Sequence, residues 1–92
     1  MVSLTIGSFM KTKSDEAIDL LYQRIGKNVA KKRKEKGMSQ LDLALSMDLK
    51  SVGLISVAEL YHNKKHFNIE HLHKISQILQ CDIEEFFRTS EQ

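Results

Sequence analysis

Seven basic residues fall between positions 24 and 36: Arg24, Lys27, Lys31, Lys32, Arg33, Lys34 and Lys36, opposed there only by Glu35. The chemistry open to such a set is neutralisation of phosphate. A second basic group, "HNKKH", sets Lys64 and Lys65 between His62 and His66. A charge run alone usually marks a solvated face, and the net charge of +2 is too small to decide the matter. Two basic groups on either side of a paired-helix motif do suggest a phosphate-contacting surface. Other chemistry has less support. His62 and His66 are spaced i, i+4, with His71 and His73 close by, as metal ligands could be. Yet there is one Cys, no HExxH, no carboxylate set at catalytic spacing and no Gly-rich phosphate loop. The reading is therefore of a non-enzyme with no metal and no cofactor. Cys81 reads as a small buried apolar residue.

The elements that must position these side chains are helical. A chain of 92 residues suggests one domain with a modest core. With no Pro and only four Gly it lacks the turn residues of a hairpin-rich fold. No apolar run approaches the ~20 residues of a membrane span. The opening "MVSLTIGSFMKTK" has neither the basic start nor the cleavage site of a signal peptide. A single cysteine cannot form an intrachain disulfide, and a cytoplasmic location is expected.

Residues 1–13 carry no clear cap or helical period and are expected to form an N-terminal arm, flexible or a short strand. Ser14, followed by Asp15 and Glu16, reads as a helix cap. Ile18, Leu21, Tyr22, Ile25 and Val29 then make one apolar stripe, and Gly37 suits a left-handed helix end. Ser39-Gln40-Leu41-Asp42 has the form of a capping box, opening a short helix that buries Leu43, Ala44 and Met47. "LISVAELY" is the next helix, with Leu54, Ile55, Ala58 and either Leu60 or Tyr61 inward. Asn68 caps a fourth helix with Ile69, Leu72, Ile75, Ile78 and Leu79 on one side. Asp82-Ile83-Glu84-Glu85 opens a fifth, which supplies Phe86 and Phe87. Helices are thus predicted near 15–36, 39–47, 52–61, 69–79 and 83–88. The domain spans 14–88, followed by a tail at 89–92.

From about Ile25 to Phe87 the chain resembles the Cro and phage-repressor type of helix-turn-helix, the Xre family. The residues that carry the resemblance are Arg33, Gly37, Ser39-Gln40, Leu43-Ala44, Met47, Ile55-Ser56, Glu59, Lys64-Lys65, Asn68-Ile69-Glu70, Leu72, Ile75, Leu79 and "DIEEFF". The resemblance implies an all-α, five-helix lambda-repressor-like fold and a DNA-binding transcription regulator. It implies that the N-terminal amides of the second helix, capped by Ser39, meet a phosphate with Gln40 as an added donor. It also implies that Glu59 pairs with Arg33. Ala44 fits a close crossing of two helices.

The chain departs from the family pattern in two ways. Asp48 stands where the family usually has Gly, and the link before Ile55 is about one residue longer. A second alignment places the longer insertion wholly in that link and makes Asn63 the left-handed residue after the third helix. The other departure is chemical. Family members present Arg, Gln, Asn, Ser or Thr on the outward side of the third helix, to bond base edges. The corresponding residues are Val52, Gly53, Leu54 and Val57, with hydroxyls only from Ser51 and Ser56 and one charge from Lys50. Phosphate contacts are expected from Lys31, Lys32, Lys36, Lys64 and Lys65. The partners expected are double-stranded DNA and a second copy of the chain, joined through Ile78, Phe86, Phe87 and the N-terminal arm. A rival reading keeps the fold and sets the apolar third helix against a protein partner.

Overall fold

The structure is a computed structural model and describes residues 3–89, with side chains from Asp15 onward. Its elements are α1 (Ser3–Glu35), α2 (Gln40–Ser46), α3 (Gly53–Leu60), a 3-10 turn (His62–Lys64), α4 (Ile69–Leu79) and a last 3-10 turn (Ile83–Phe87). The architecture is all-helical, with no strand among the described residues. The described residues form four α-helices rather than five. The segment expected as the fifth helix has only five residues and winds as a 3-10 turn, a common form for such short pieces.

The start of α1 corrects a second expectation. Positions 3–13, expected as a flexible arm or a strand, continue the helix, and Ser14 lies inside it. No Pro interrupts this stretch. Once the downstream turns exist, each added residue extends a formed helix without a new nucleus. A 33-residue helix spans about 50 Å, which matches the longest dimension of the molecule, 50 Å. Its packed part begins near Leu21. Ile18, expected in the buried stripe, is exposed, as is Leu20.

The core is built from Ile25 and Val29 of α1, Leu43, Ala44 and Met47 around α2, Ile55 and Ala58 of α3, and Leu72, Ile75 and Leu79 of α4. Phe67 and Phe86 close it. The backbone of α1 comes close to that of α3 at Gly26. A Cβ there would lie 2.5 Å from the carbonyl oxygens of both Ala58 and Glu59. No side chain larger than hydrogen fits without moving a helix.

Local signals set the helix ends. Gly37 is left-handed, with φ +73°. The Asp42 N–H donates to Ser39 Oγ at 2.9 Å and the Ser39 N–H to Asp42 Oδ2 at 3.0 Å, the reciprocal box read in the sequence. Asn68 and His71 do the same for α4: the His71 N–H donates to Asn68 Oδ1 and the Asn68 N–H to His71 Nδ1. Asp48 takes the left-handed turn after α2, with φ 63°, a conformation Asp tolerates better than most residues.

Candidate nucleic-acid interface

α3 is held by its polar end. Arg33 Nε donates to Glu59 Oε2 at 2.7 Å and Arg33 Nη2 to Glu59 Oε1 at 3.0 Å. This two-pronged pair is 6% and 5% exposed. Arg33 Nη1 donates to the Met38 carbonyl at 2.9 Å, and Gln40 Nε2 donates to Glu59 Oε1 at 2.8 Å. One carboxylate therefore ties the ends of α1, α2 and α3 together. The geometry matches the first alignment, in which Glu59 faces Arg33. Gln40, expected to present its amide outward, is half-buried and bonded inward.

The loop leaving α3 is left-handed at Tyr61, Asn63 and Lys64, with φ 55°, 53° and 61°. Such backbone persists only where its surroundings fix it. Here the Tyr61 hydroxyl donates to Asp19 Oδ1 of α1 at 2.6 Å, and Lys64 Nζ lies 3.6 Å from the same oxygen. His66 stacks on Tyr22 with ring centroids 3.8 Å apart. The bond to Asp19, then burial and the Asp19 charge, push the Tyr61 hydroxyl up to about 12.

Between α1, the start of α2 and the end of α3 lies a groove of about 620 Å³, bordered by Lys27, Lys31, Lys34, Gln40, Glu59 and Leu60. None of the three lysines pairs with a carboxylate among the described residues. The cations of the fold therefore differ in availability. Lys32 is engaged by Glu85 at 3.0 Å and Glu35 at 3.4 Å; the bond to Glu85 raises its pKa and lowers that of Glu85. Lys64 is engaged by Asp19, as above. Lys31, Lys36, Lys50 and Lys65 are exposed and unpaired among the described residues.

The family model for the Cro/C1-type HTH DNA-binding domain matches residues 28–92. The chain belongs to this family. No curated protein and no solved structure matches it. It is thus a helix-turn-helix DNA-binding domain of the regulator type, with α2 and α3 as the paired helices.

In this Cro/C1-type domain the fold redistributes the residues expected to contact DNA. Ser39 is exposed, its Oγ engaged in the cap. Val52, expected outward, is half-buried against the core, as is Leu54, which the helical period set inward and the family alignment outward. The side of α3 opposite Ile55, Ala58 and Glu59 instead carries Gly53, Ser56, Val57 and Leu60. Leu60, expected inward as an alternative to Tyr61, is 78% exposed. Ser56 Oγ donates to the Gly53 carbonyl at 3.1 Å, and Ser51 Oγ accepts from the Gly53 N–H at 3.3 Å. Lys27, Lys34 and Leu60 were absent from the sequence-derived site. The signal that could have found the two lysines was their i, i+4, i+7 spacing with Lys31. Among the described residues no three His, Cys, Asp or Glu side chains gather as a metal site. Cys81 is half-buried, and burial pushes its thiol up. No helix of the described residues is long and apolar enough to cross a membrane.

Proposed function

We propose that the chain is a transcription regulator of the cytoplasm that binds double-stranded DNA as a homodimer. It holds the duplex through phosphates and adds little hydrogen-bonded base recognition. The observation that carries this reading is the basic groove, in which Lys27, Lys31 and Lys34, unpaired among the described residues, lie beside the start of α2 and the end of α3. Cations there release counterions from DNA, and that release supplies affinity without sequence choice. Lys36, Lys50 and Lys65 extend the basic surface. Base discrimination by bidentate hydrogen bonds needs Arg, Lys, Asn or Gln at the reading positions, and Gly53, Ser56 and Val57 supply none.

A two-fold dimer would place its two α3 helices roughly 34 Å apart, one DNA turn. Ile78 and Phe87, both half-buried, are the side chains offered to such an interface. Phe86, expected there too, is fully enclosed in the core and is not available. A chain that stays monomeric at high micromolar concentration in sedimentation would count against the dimer.

The test is an anisotropy titration of random duplex at rising salt. With about four to six phosphate contacts, log affinity should fall with log salt at a slope of about −4 to −5. Changing Lys27, Lys31 and Lys34 to Ala should flatten that slope by about 0.9 for each contact removed. Binding indifferent to salt overturns the reading. The rival, a protein-interaction domain using its apolar third helix, rests on the 78% exposure of Leu60. Under the rival reading Leu60→Ser should abolish capture of a protein partner, and the changes at Lys27, Lys31 and Lys34 should leave that capture standing.

A further inference from the structure

The outward side of α3 combines two features that the fold does not require. The first is Gly53. Its φ is not in the left-handed region, and a Cβ added there would meet only Ser51 Oγ, at an ordinary 3.6 Å. Gly53 is the first residue of α3, where alanine fits and would restrict the unfolded chain more, so the fold does not call for glycine there and a bare backbone leaves room for another molecule to come close. The second is the lack of a free side-chain donor on α3 itself. The only hydroxyl on that side of α3, on Ser56, donates back to the Gly53 carbonyl. Beside Gly53 lie exposed Ser51, whose Oγ accepts from the Gly53 N–H, and the half-buried Val57 and Val52, each of which shows part of its side chain to solvent. Exposed Lys50 and Lys65, unpaired among the described residues, lie before and after the helix, a charge arrangement complementary to a duplex.

An apolar helix face in the major groove can recognise one group there, the C5-methyl of thymine. Unmodified cytosine lacks it, and 5-methylcytosine carries it at the same ring position. We propose that α3 selects duplex sites by the C5-methyl groups of pyrimidines. Val57 and Val52 pack on the methyls, and Gly53 lets the helix backbone approach the base edges. This rests on the duplex-binding reading above and names the group on DNA that the same face selects.

The experiment compares the full chain on four short duplexes at fixed salt: alternating A·T, the same duplex with deoxyuridine for thymidine, alternating G·C, and the same duplex with 5-methylcytosine. Uridine keeps every hydrogen-bonding group of thymine and removes only the methyl. Each methyl covered by the helix should contribute a factor of about four. Two methyls then make the thymine duplex about fifteenfold tighter than the uridine duplex. Methylating cytosine should raise affinity by a similar factor. Val57→Ser should cut both differences to about fourfold, the share of one methyl, and leave the salt slope intact. Gly53→Ala should weaken binding to the A·T duplex while the thermal midpoint stays at or above that of the parent; unchanged affinity overturns the close approach. Equal affinity for thymine and uridine duplexes, with steep salt dependence kept, overturns methyl selection and leaves duplex binding standing. Salt-indifferent binding to all four overturns both.

Discussion

The two sides of α3 use opposite chemistry. Inward, Glu59 accepts from Arg33 and Gln40 in a nearly dry pocket, beside the fully enclosed Ile55 and Ala58. Outward, the side facing solvent shows Gly53, Val57 and Leu60, and the hydroxyl of Ser56 turns back on its own helix. A helix that reads bases by hydrogen bonds would have its polar reach outside. In this domain the polar groups of α3 join three helix ends, and the exposed side is left apolar. Removing one partner of a buried ion pair leaves a charge without water or counter-charge. Removing an exposed apolar side chain leaves the fold nearly untouched. The inward side should therefore control stability and the outward side binding.

The largest test of that contrast is Glu59→Ala. It strands the Arg33 guanidinium and should lower unfolding free energy by about 3–5 kcal/mol in urea titration. Arg33→Ala combined with it should cost less than the sum of the two single changes, since both remove the same contact. An additive result would show that the pair does not couple. Gly26→Ala comes next. The atoms it would meet are backbone carbonyls of α3, which cannot rotate away. Overpacking of this kind should cost about 1–3 kcal/mol, read in the same titration.

On the outward side the expected sign reverses. Gly53→Ala has room for its Cβ and should raise stability by up to about 1 kcal/mol. A loss would mean that Gly53 serves the fold and that the two sides are not separable. The smallest effect belongs to the end of α3. The folded state raises the Tyr61 hydroxyl from about 10 to about 12, through its bond to Asp19. The neutral phenol is thus favoured in the fold. Its stabilisation is fully present below pH 10 and is lost as pH rises through about 12. Tyr61→Phe should remove that part of the alkaline destabilisation, as measured by unfolding between pH 9 and pH 12. Identical alkaline profiles for the two proteins would show that Asp19 does not anchor the loop.

Much of this fold is legible in neighbouring residues. Ser39 with Asp42, Asn68 at the head of α4 and left-handed Gly37 satisfy backbone groups within three or four positions, so short-range spacing specifies them. The buried positions Leu43, Ala44, Met47, Ile55, Leu72, Ile75 and Leu79 follow from helical period alone. The Arg33–Glu59 pair was readable only through the family resemblance, because 26 residues separate its members. Ser14 carried a genuine cap signal, but a side-chain cap adds only about 1 kcal/mol and does not stop a helix that continues on either side.

What the sequence by itself determined is the set of helices, most of their ends and the identity of the core. Those depend on interactions along one helix, with a period of 3.6 residues. Only the tertiary structure decided which way each helix rolls and which helices touch. Gly26 has meaning only once α3 lies across it. Gln40 turns inward because Glu59 arrives from another helix with an oxygen to accept its amide. Phe86 fills the core and Phe87 does not, although neither neighbour in sequence distinguishes them. The face of α3 left to solvent follows from the same packing. Ile55, Ala58 and Glu59 must all lie inward, and that rolls Val52 and Leu54 against the core, turns Gly53 and Leu60 out and leaves Val57 half-buried between them.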